Sequence, residues 1–414
     1  MSTKPRLLVT GATGLLGSAL VRGGLDRYEV WGLARHPEAA PLLYSPMQAD
    51  ITDEVAVARV VAAVNPHVVI HAAALASVNQ CQADPEQAYR VNVQGTKNLL
   101  RALNGQECKF VFISTDSVFD GVKGDYTESD SPAPLHVYGR TKHQAEGVVL
   151  AARPDALVVR TAFYGWNVLP QESLSEWILH LLRGRRQVQG FTDVWFTPLL
   201  TDHLVGLLYH LLSVSTSGIL HLGSRESVSK YEFAQRLAVE FGFPTDLIIA
   251  TTIKAAQLGA PRPKNVSLST ARAATVLGRP LPSVGDGLRQ FRAAETAADH
   301  AMAEESHASS RAGMRDLARN KFLPYGKHEV DDGDVAAVVE ALRGDLITQG
   351  RKIEEFEHAV AAYCGTAHAV AFSSGTAALH AACKAAGLGP GDEAITTPLT
   401  FAATATAALW LGAK

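Results

Sequence analysis

Tyr138 and Lys142 stand four residues apart in the run VYGRTK, so on a helix the phenol and the ammonium lie on one face. A cation beside a phenol stabilises the phenolate and lowers the phenol's pKa. Tyrosine can then give a proton to a carbonyl undergoing reduction near neutral pH. The spacing alone is common. It gains force from Thr115 in FISTDSVFDG, at the end of an upstream strand-like run, which can add a hydroxyl to the same carbonyl.

The N-terminal run LLVTGATGLLGSALV places Gly11, Gly14 and Gly17 between a strand and a helix. Glycines there permit a tight turn and close backbone approach, while the free amides and dipole of the new helix attract a pyrophosphate. The second strand-like run, EVWGLAR, ends in Arg35, where an acid would hold the ribose hydroxyls of NAD; a guanidinium there suits the 2′-phosphate of NADP, although a surface arginine at a strand end also fits. Asp50 and Ile51 follow an extended stretch in a position suited to the adenine rim. Ala72, Ala73 and Ala74 end a later strand with side chains small enough for close approach of a cofactor. Packing would explain both features equally well.

Positioning these groups falls to a series of alternating elements. Apolar runs at 6–10, 29–34, 68–71, 109–114 and 156–160 alternate with amphipathic segments, which predicts βαβ units and a doubly wound parallel sheet covered on both faces. From about residue 165 to 292 the pattern loosens into helices (176–182, 203–212, 230–241) with short strands such as 219–222, which predicts a smaller lobe closing over the carboxyl edge of the sheet. Residues 293–316, rich in Ala, Glu, Ser and His, read as a linker with room for some helix. A fresh domain is expected over 317–414, where Pro324 and Gly326 mark a turn and Asp331, Asp332 and Asp334 lead into an apolar helix.

Composition excludes several classes. The chain has 414 residues, 47% apolar and 19% charged, with a net charge of −3 and interspersed signs, so neither nucleic acid nor a membrane surface is an evident partner. The basic group Arg183, Arg185 and Arg186 reads as a solvated helix end. Cys81, Cys108, Cys364 and Cys383 are scattered, form no metal pattern and fit a reducing compartment. With no leader-like or membrane-length apolar run, a cytoplasmic location is expected.

Taken in order, GATGLLG, VNVQGTKNLL, STDSVFDG, PLHVYGRTK and VVRTAFYG resemble the extended short-chain dehydrogenases, specifically the dTDP-4-dehydrorhamnose reductase group, over about residues 5–291. The resemblance implies a Rossmann domain with a smaller α/β substrate lobe, together residues 1–292. It makes Thr115, Tyr138 and Lys142 the catalytic set, with Asn92 shaping the site, and adds Gly11, Gly14, Leu15, Leu16, Gly17, Arg35, Asp50, Ile51 and Ala72 to Ala74 as cofactor contacts. It also implies NADP(H), a nucleotide-sugar substrate, no metal, and a homodimer as one allowed assembly. The similar dehydratases carry Glu where this chain has Ser117, and the epimerases carry an acid where it has Arg35, so reduction is favoured. The reductases commonly have Tyr at the Ser117 position. Regulatory subunits of methionine adenosyltransferase resemble the same stretch and keep an NADP-binding alternative open.

Further on, LITQGRKIEEFEHAVAAYCG, AVAFSSGTAALHAAC and GPGDEAITTPLTFAATATA resemble the beginning of the DegT/DnrJ/EryC1/StrS-type nucleotide-sugar aminotransferases, which use pyridoxal phosphate. This implies an incomplete PLP-transferase-like α/β fragment, with Ser374, Gly375 and Thr376 as the phosphate cradle and Phe401 as the ring that stacks on the pyridine. The sequence stops before the family's Schiff-base lysine, so transamination is not expected of it, and PLP would belong to a longer domain. The expectation is reduction of a 4-keto group on a nucleotide-linked 6-deoxysugar, in a chain that could equally take its name from an aminotransferase half.

Overall fold

The computed structural model describes residues 4–37, 44–168, 172–214, 216–254, 259–295, 332–343, 351–396 and 403–414. It forms two compact units, Met1–Gly313 and Met314–Lys414.

The first unit is built on a parallel sheet. β1 (Arg6–Thr10), β2 (Glu29–Ala34), β3 (Ser45–Gln48), β4 (Val68–His71), β5 (Lys109–Ile113), β6 (Leu157–Tyr164) and β10 (Gly218–Leu222) run in the order 10-6-5-4-1-2-3, and β9 (Pro198–Leu200) pairs in parallel with the last residues of β6. Order 3-2-1-4-5-6 is doubly wound, and its crevice opens where the winding reverses, between β1 and β4. Leu7 and Val9 of β1 point into one buried layer with Leu20, Ile70, Leu208 and Leu220, while Leu8 points into the other with Val61, Leu99, Phe110 and Phe112. Both faces are thus covered, as continuous apolar strands require.

Helix α1 (Leu15–Gly24) follows β1, and α6 (Val137–Ala152) lies between β5 and β6 in sequence. The smaller lobe gathers α7 (Leu174–Arg183), α8 (Thr201–Ser213), α9 (Lys230–Glu240), and the short pairs β7 (Val188–Phe191) with β12 (Ile248–Thr251) and β8 (Trp195–Phe196) with β11 (Val228–Ser229). Its core is aromatic, with Tyr164 against Phe233 and Phe291, and Phe196 against Phe233. Residues 284–295 are helical and carry Leu288 and Phe291 into that core. This helix runs on through Ala293 to Glu295, and Glu295 pairs with Arg183 on α7.

In the second unit, helices Asp332–Arg343, Arg351–Cys364, Gly375–Ala385 and Ala403–Leu409 are present. Many of its apolar side chains stand in solvent, among them Tyr363, Val370, Phe372 and Ile395. The expected turn at Pro324 and Gly326, with Asp331, lies outside the described residues.

Candidate active site

The glycine-rich turn sits at the carboxyl end of β1. Gly11 has φ +71°, and a Cβ there would come within 2.8 Å of the Ala73 backbone. A Cβ on Gly17 would lie 1.9 Å from the Gly11 carbonyl oxygen. Gly14 is the N-cap of α1 and offers no side-chain cap, so the first amides of that helix are available to an anion. Leu15 is half-buried and Leu16 packs in the core, so Leu16 can offer a phosphate only its backbone amide.

One histidine ties this turn to the next strand. The Nδ1 atom of His71 lies 2.6 Å from Thr10 Oγ1 and its Nε2 lies 3.0 Å from Thr96 Oγ1, while Thr10 Oγ1 accepts from the Ala73 amide at 3.2 Å. Burial, with the nearby Lys142 ammonium, pushes His71 down to about 3, so the ring is neutral. The strand register places Thr10 beside His71 and His71 beside Phe112, and so fixes Ala72 to Ala74 against Gly11. In the sequence only the small alanines show.

Arg35 is exposed at the end of β2, and its carbonyl accepts from Gln48 Nε2 at 3.1 Å. Burial works against ionisation of Asp50, but hydrogen bonds from the Thr52 amide and hydroxyl, both 2.8 Å, together with Arg35 and Arg90, hold its carboxyl below the usual range. Ile51 is buried, and Asn98 donates to its carbonyl.

Thr115 lies two residues beyond β5, where its hydroxyl accepts from the Ser117 amide at 3.2 Å and caps a 3₁₀ turn. Helix α6 comes down on this turn with Gly139 against it; a Cβ on Gly139 would lie 2.2 Å from the Ser117 carbonyl oxygen. Burial, with Asp116 and Cys81, pushes the Tyr138 phenol well above its ordinary range, and the hydrogen bonding with Thr115 that this approach allows opposes it. Lys142 follows one turn on, buried, its Nζ 4.0 Å from the centre of the Phe112 ring. Desolvation drives it down to about 7 and the Glu146 carboxylate opposes this. Asn92, in the π-helical turn Arg90–Gln94, donates to Thr141 Oγ1 at 2.9 Å and accepts from the Leu75 amide, which braces α6 against the loop after β4.

Two charged groups of the site were not legible in the sequence. The Asp116 carboxylate is buried and accepts from the hydroxyls of Thr115 and Ser117, both at 3.1 Å. Burial pushes it up, and Lys230, the first residue of α9, pulls it back. Lys230 Nζ sits over the Phe196 ring and is pushed down to about 8 by burial, against the pull of Asp116.

Over residues 5–297 the chain matches the RmlD substrate binding domain. The chain belongs to that family. It is 32% identical over 291 residues to "Probable low-salt glycan biosynthesis reductase Agl14" of Haloferax volcanii, covering 69% of this chain and 97% of the relative. It is 33% identical over 295 residues to a dTDP-4-dehydrorhamnose reductase of Mycolicibacterium smegmatis, covering 70% and 85%. It is also 31% identical over 279 residues to methionine adenosyltransferase 2 subunit beta of Danio rerio, covering 64% and 82%. Among solved structures, dTDP-4-dehydrorhamnose reductase of Bacillus anthracis in complex with NADP superposes with a TM-score of 0.63 at 27% identity, over 70% of this chain and 99% of that one.

Residues 328–414 match the DegT/DnrJ/EryC1/StrS aminotransferase family. There Ser374 caps the helix Gly375–Ala385, accepting from the Ala377 amide at 3.2 Å, with open space around Gly375 and with Thr376 in the first turn. Phe401 lies outside the described residues. No cluster of potential metal ligands occurs among the described residues, and none of the described helices is long and apolar enough to cross a membrane.

Proposed function

We propose that the first unit is an NADPH-dependent reductase acting on the 4-keto group of a nucleotide-linked 6-deoxysugar, in the making of a glycan or deoxysugar. The observation that carries this reading is the hydrogen bonding of Tyr138 with Thr115, with Lys142 one helical turn on, against Phe112 and near His71 at the end of β4. The cleft fits a dinucleotide. The turn at Gly11 leaves no room for a Cβ next to Ala73, and the amides opening α1 are uncapped. Gly11, Gly14, Leu15, Leu16 and Gly17 would hold the pyrophosphate through their backbone, Arg35 the 2′-phosphate, Asp50 and Ile51 the adenine rim, and Ala72 to Ala74 with Asn92 the remaining wall. When bound, NADPH supplies the hydride.

The protein's own part is proton transfer and orientation. Thr115 donates a hydrogen bond to the substrate carbonyl oxygen, and Tyr138 gives its proton to that oxygen as negative charge grows there. The phenol is well above neutrality in the free protein, so it needs a cation to serve as an acid at pH 7. Lys142 supplies that charge and anchors the ribose. Ser117, where related reductases have Tyr, leaves space beside the sugar and bears on which sugar is accepted.

NADPH oxidation is to be followed over a panel of dTDP-, GDP- and UDP-linked 4-keto sugars. Turnover of at least one is expected. Tight NADPH binding with no turnover on any would overturn the reading and favour a non-catalytic nucleotide-binding subunit, as the likeness to methionine adenosyltransferase 2 subunit beta suggests.

A further inference from the structure

On α6, Tyr138, Lys142 and Glu146 succeed one another every four residues and share one face. The proposed reaction uses the first two and leaves the third without a role. Glu146 is 2% exposed, and a carboxylate so deep is tolerated only when its charge and lone pairs are met. Arg160 Nε donates to one oxygen at 2.9 Å and Arg160 Nη2 to the other at 2.7 Å, and Ser114 Oγ donates at 2.5 Å. Arg160 is itself buried on β6 and stacks its guanidinium on Phe119.

This carboxylate ties together the three elements that carry the site. Ser114 immediately precedes Thr115, Arg160 belongs to the neighbouring strand, and Glu146 lies one turn beyond Lys142. The other titratable groups facing it are His143 on the same helix, 3.4 Å away, and His221 on β10, whose own backbone amide donates to Glu128. A tie serving stability alone could sit anywhere along this helix. Here it sits one turn beyond Lys142 on the same helix face, and its charge favours the protonated lysine.

We propose that Glu146 is a positioning residue whose carboxylate, locked by Arg160 and Ser114, is the counter-charge that keeps the Lys142 ammonium protonated beside Tyr138 in a desolvated site. The inference rests on the reductase reading in taking Lys142 as the cofactor anchor. Even with that carboxylate the ammonium keeps its proton only up to about 7, and desolvation alone would strip it at lower pH. With Glu146 ionised, the cation persists to higher pH, where it still holds the ribose and still makes the phenol a usable acid.

The test is the pH dependence of NADPH affinity, read by cofactor fluorescence, which needs no sugar. Wild-type affinity should weaken as pH rises and Lys142 loses its proton. Glu146→Gln should move that midpoint down by about one unit, so that affinity near pH 8 falls about tenfold while affinity near pH 6 hardly changes. Glu146→Gln leaves Arg160 uncompensated and can unfold the chain; the pair Glu146→Gln with Arg160→Met removes both charges and should show the same displacement. Glu146→Asp keeps the charge and should keep the wild-type midpoint. An unmoved midpoint in a folded Gln variant, single or double, or an Asp variant displaced as far as Gln, would show a purely structural tie and overturn the proposal. A wild type that binds no NADPH at any pH overturns the cofactor reading and the proposal with it. A wild type that binds NADPH but reduces no sugar overturns the reductase reading alone.

Discussion

The Thr115 hydroxyl donates to the Asp116 carboxylate at 3.1 Å, so the group expected to hold the substrate carbonyl is also bonded to a buried acid. That acid sits above its ordinary range because of burial, and Lys230 at the start of α9 restrains it. Removing the cation in Lys230→Met should let the Asp116 carboxyl rise further. The acid limb of kcat/KM against pH should then move to higher pH, with NADPH affinity unchanged. A limb that stays in place in the folded variant would separate Asp116 from catalysis.

Tyr138→Phe keeps the ring that packs with Cys81 and Val137 but removes the proton donor. Turnover should fall by about 100 to 10,000-fold, the usual worth of a positioned acid. Cofactor binding should be nearly unchanged. A variant with more than half of the wild-type turnover would remove Tyr138 from the reaction.

Arg35 is exposed, and its charge helps hold the Asp50 carboxylate ionised at the end of the neighbouring strand. In Arg35→Ala the affinity for NADPH should drop by roughly 1.5 to 3 kcal/mol, the worth of a charge-assisted hydrogen bond, and NADH binding should hardly change. Isothermal titration with both cofactors decides it: equal losses would show that Arg35 does not read the 2′-phosphate.

His71 is neutral in the folded chain, down to about 3, but takes up a proton near its ordinary value of about 6.5 once unfolded. The unfolded state therefore binds more protons between those two values, and stability falls as pH drops through that window. Replacing His71 by Gln should flatten the slope of the urea midpoint between about pH 6.5 and 3, though it loosens Ala72 to Ala74. An unchanged slope would mean that other groups set the acid response.

Strands β1, β2 and β4 fall where their apolar runs place them, at Arg6–Thr10, Glu29–Ala34 and Val68–His71, because a strand buried on both faces writes its length in hydrophobic residues. The edge strand β3 carries Pro46 and Gln48 and is half-exposed, so the sequence shows only an extended segment there. The lobe's strands β7, β8, β11 and β12 have two to four residues each and owe their existence to pairing partners far along the chain. The same division runs through the site. Tyr138 and Lys142 are legible because helical spacing is local. The ties of His71 to Thr10, 61 residues away, and of Asp116 to Lys230 exist only after the sheet and lobe have assembled.

The extent of the reductase can be tested by truncation. The family match ends at residue 297, and the first compact unit extends to Gly313. Helix 284–295 closes the lobe with Leu288 and Phe291, Trp166 donates to the Phe291 carbonyl at 2.9 Å, and Glu295 pairs with Arg183. A chain ending at residue 297 keeps all of these and should match the full chain in turnover and in melting temperature. It should also be at least as soluble, because the deleted part exposes Tyr363, Val370 and Ile395. A chain ending at residue 283 strips Val284, Leu288 and Phe291 from the aromatic core and should fail to fold its lobe, since losing one large buried aromatic alone costs about 3 to 5 kcal/mol. Melting and NADPH-oxidation measurements on both truncations test this. A folded but inactive chain of 297 residues would show that the aminotransferase-like segment takes part in the reductase after all.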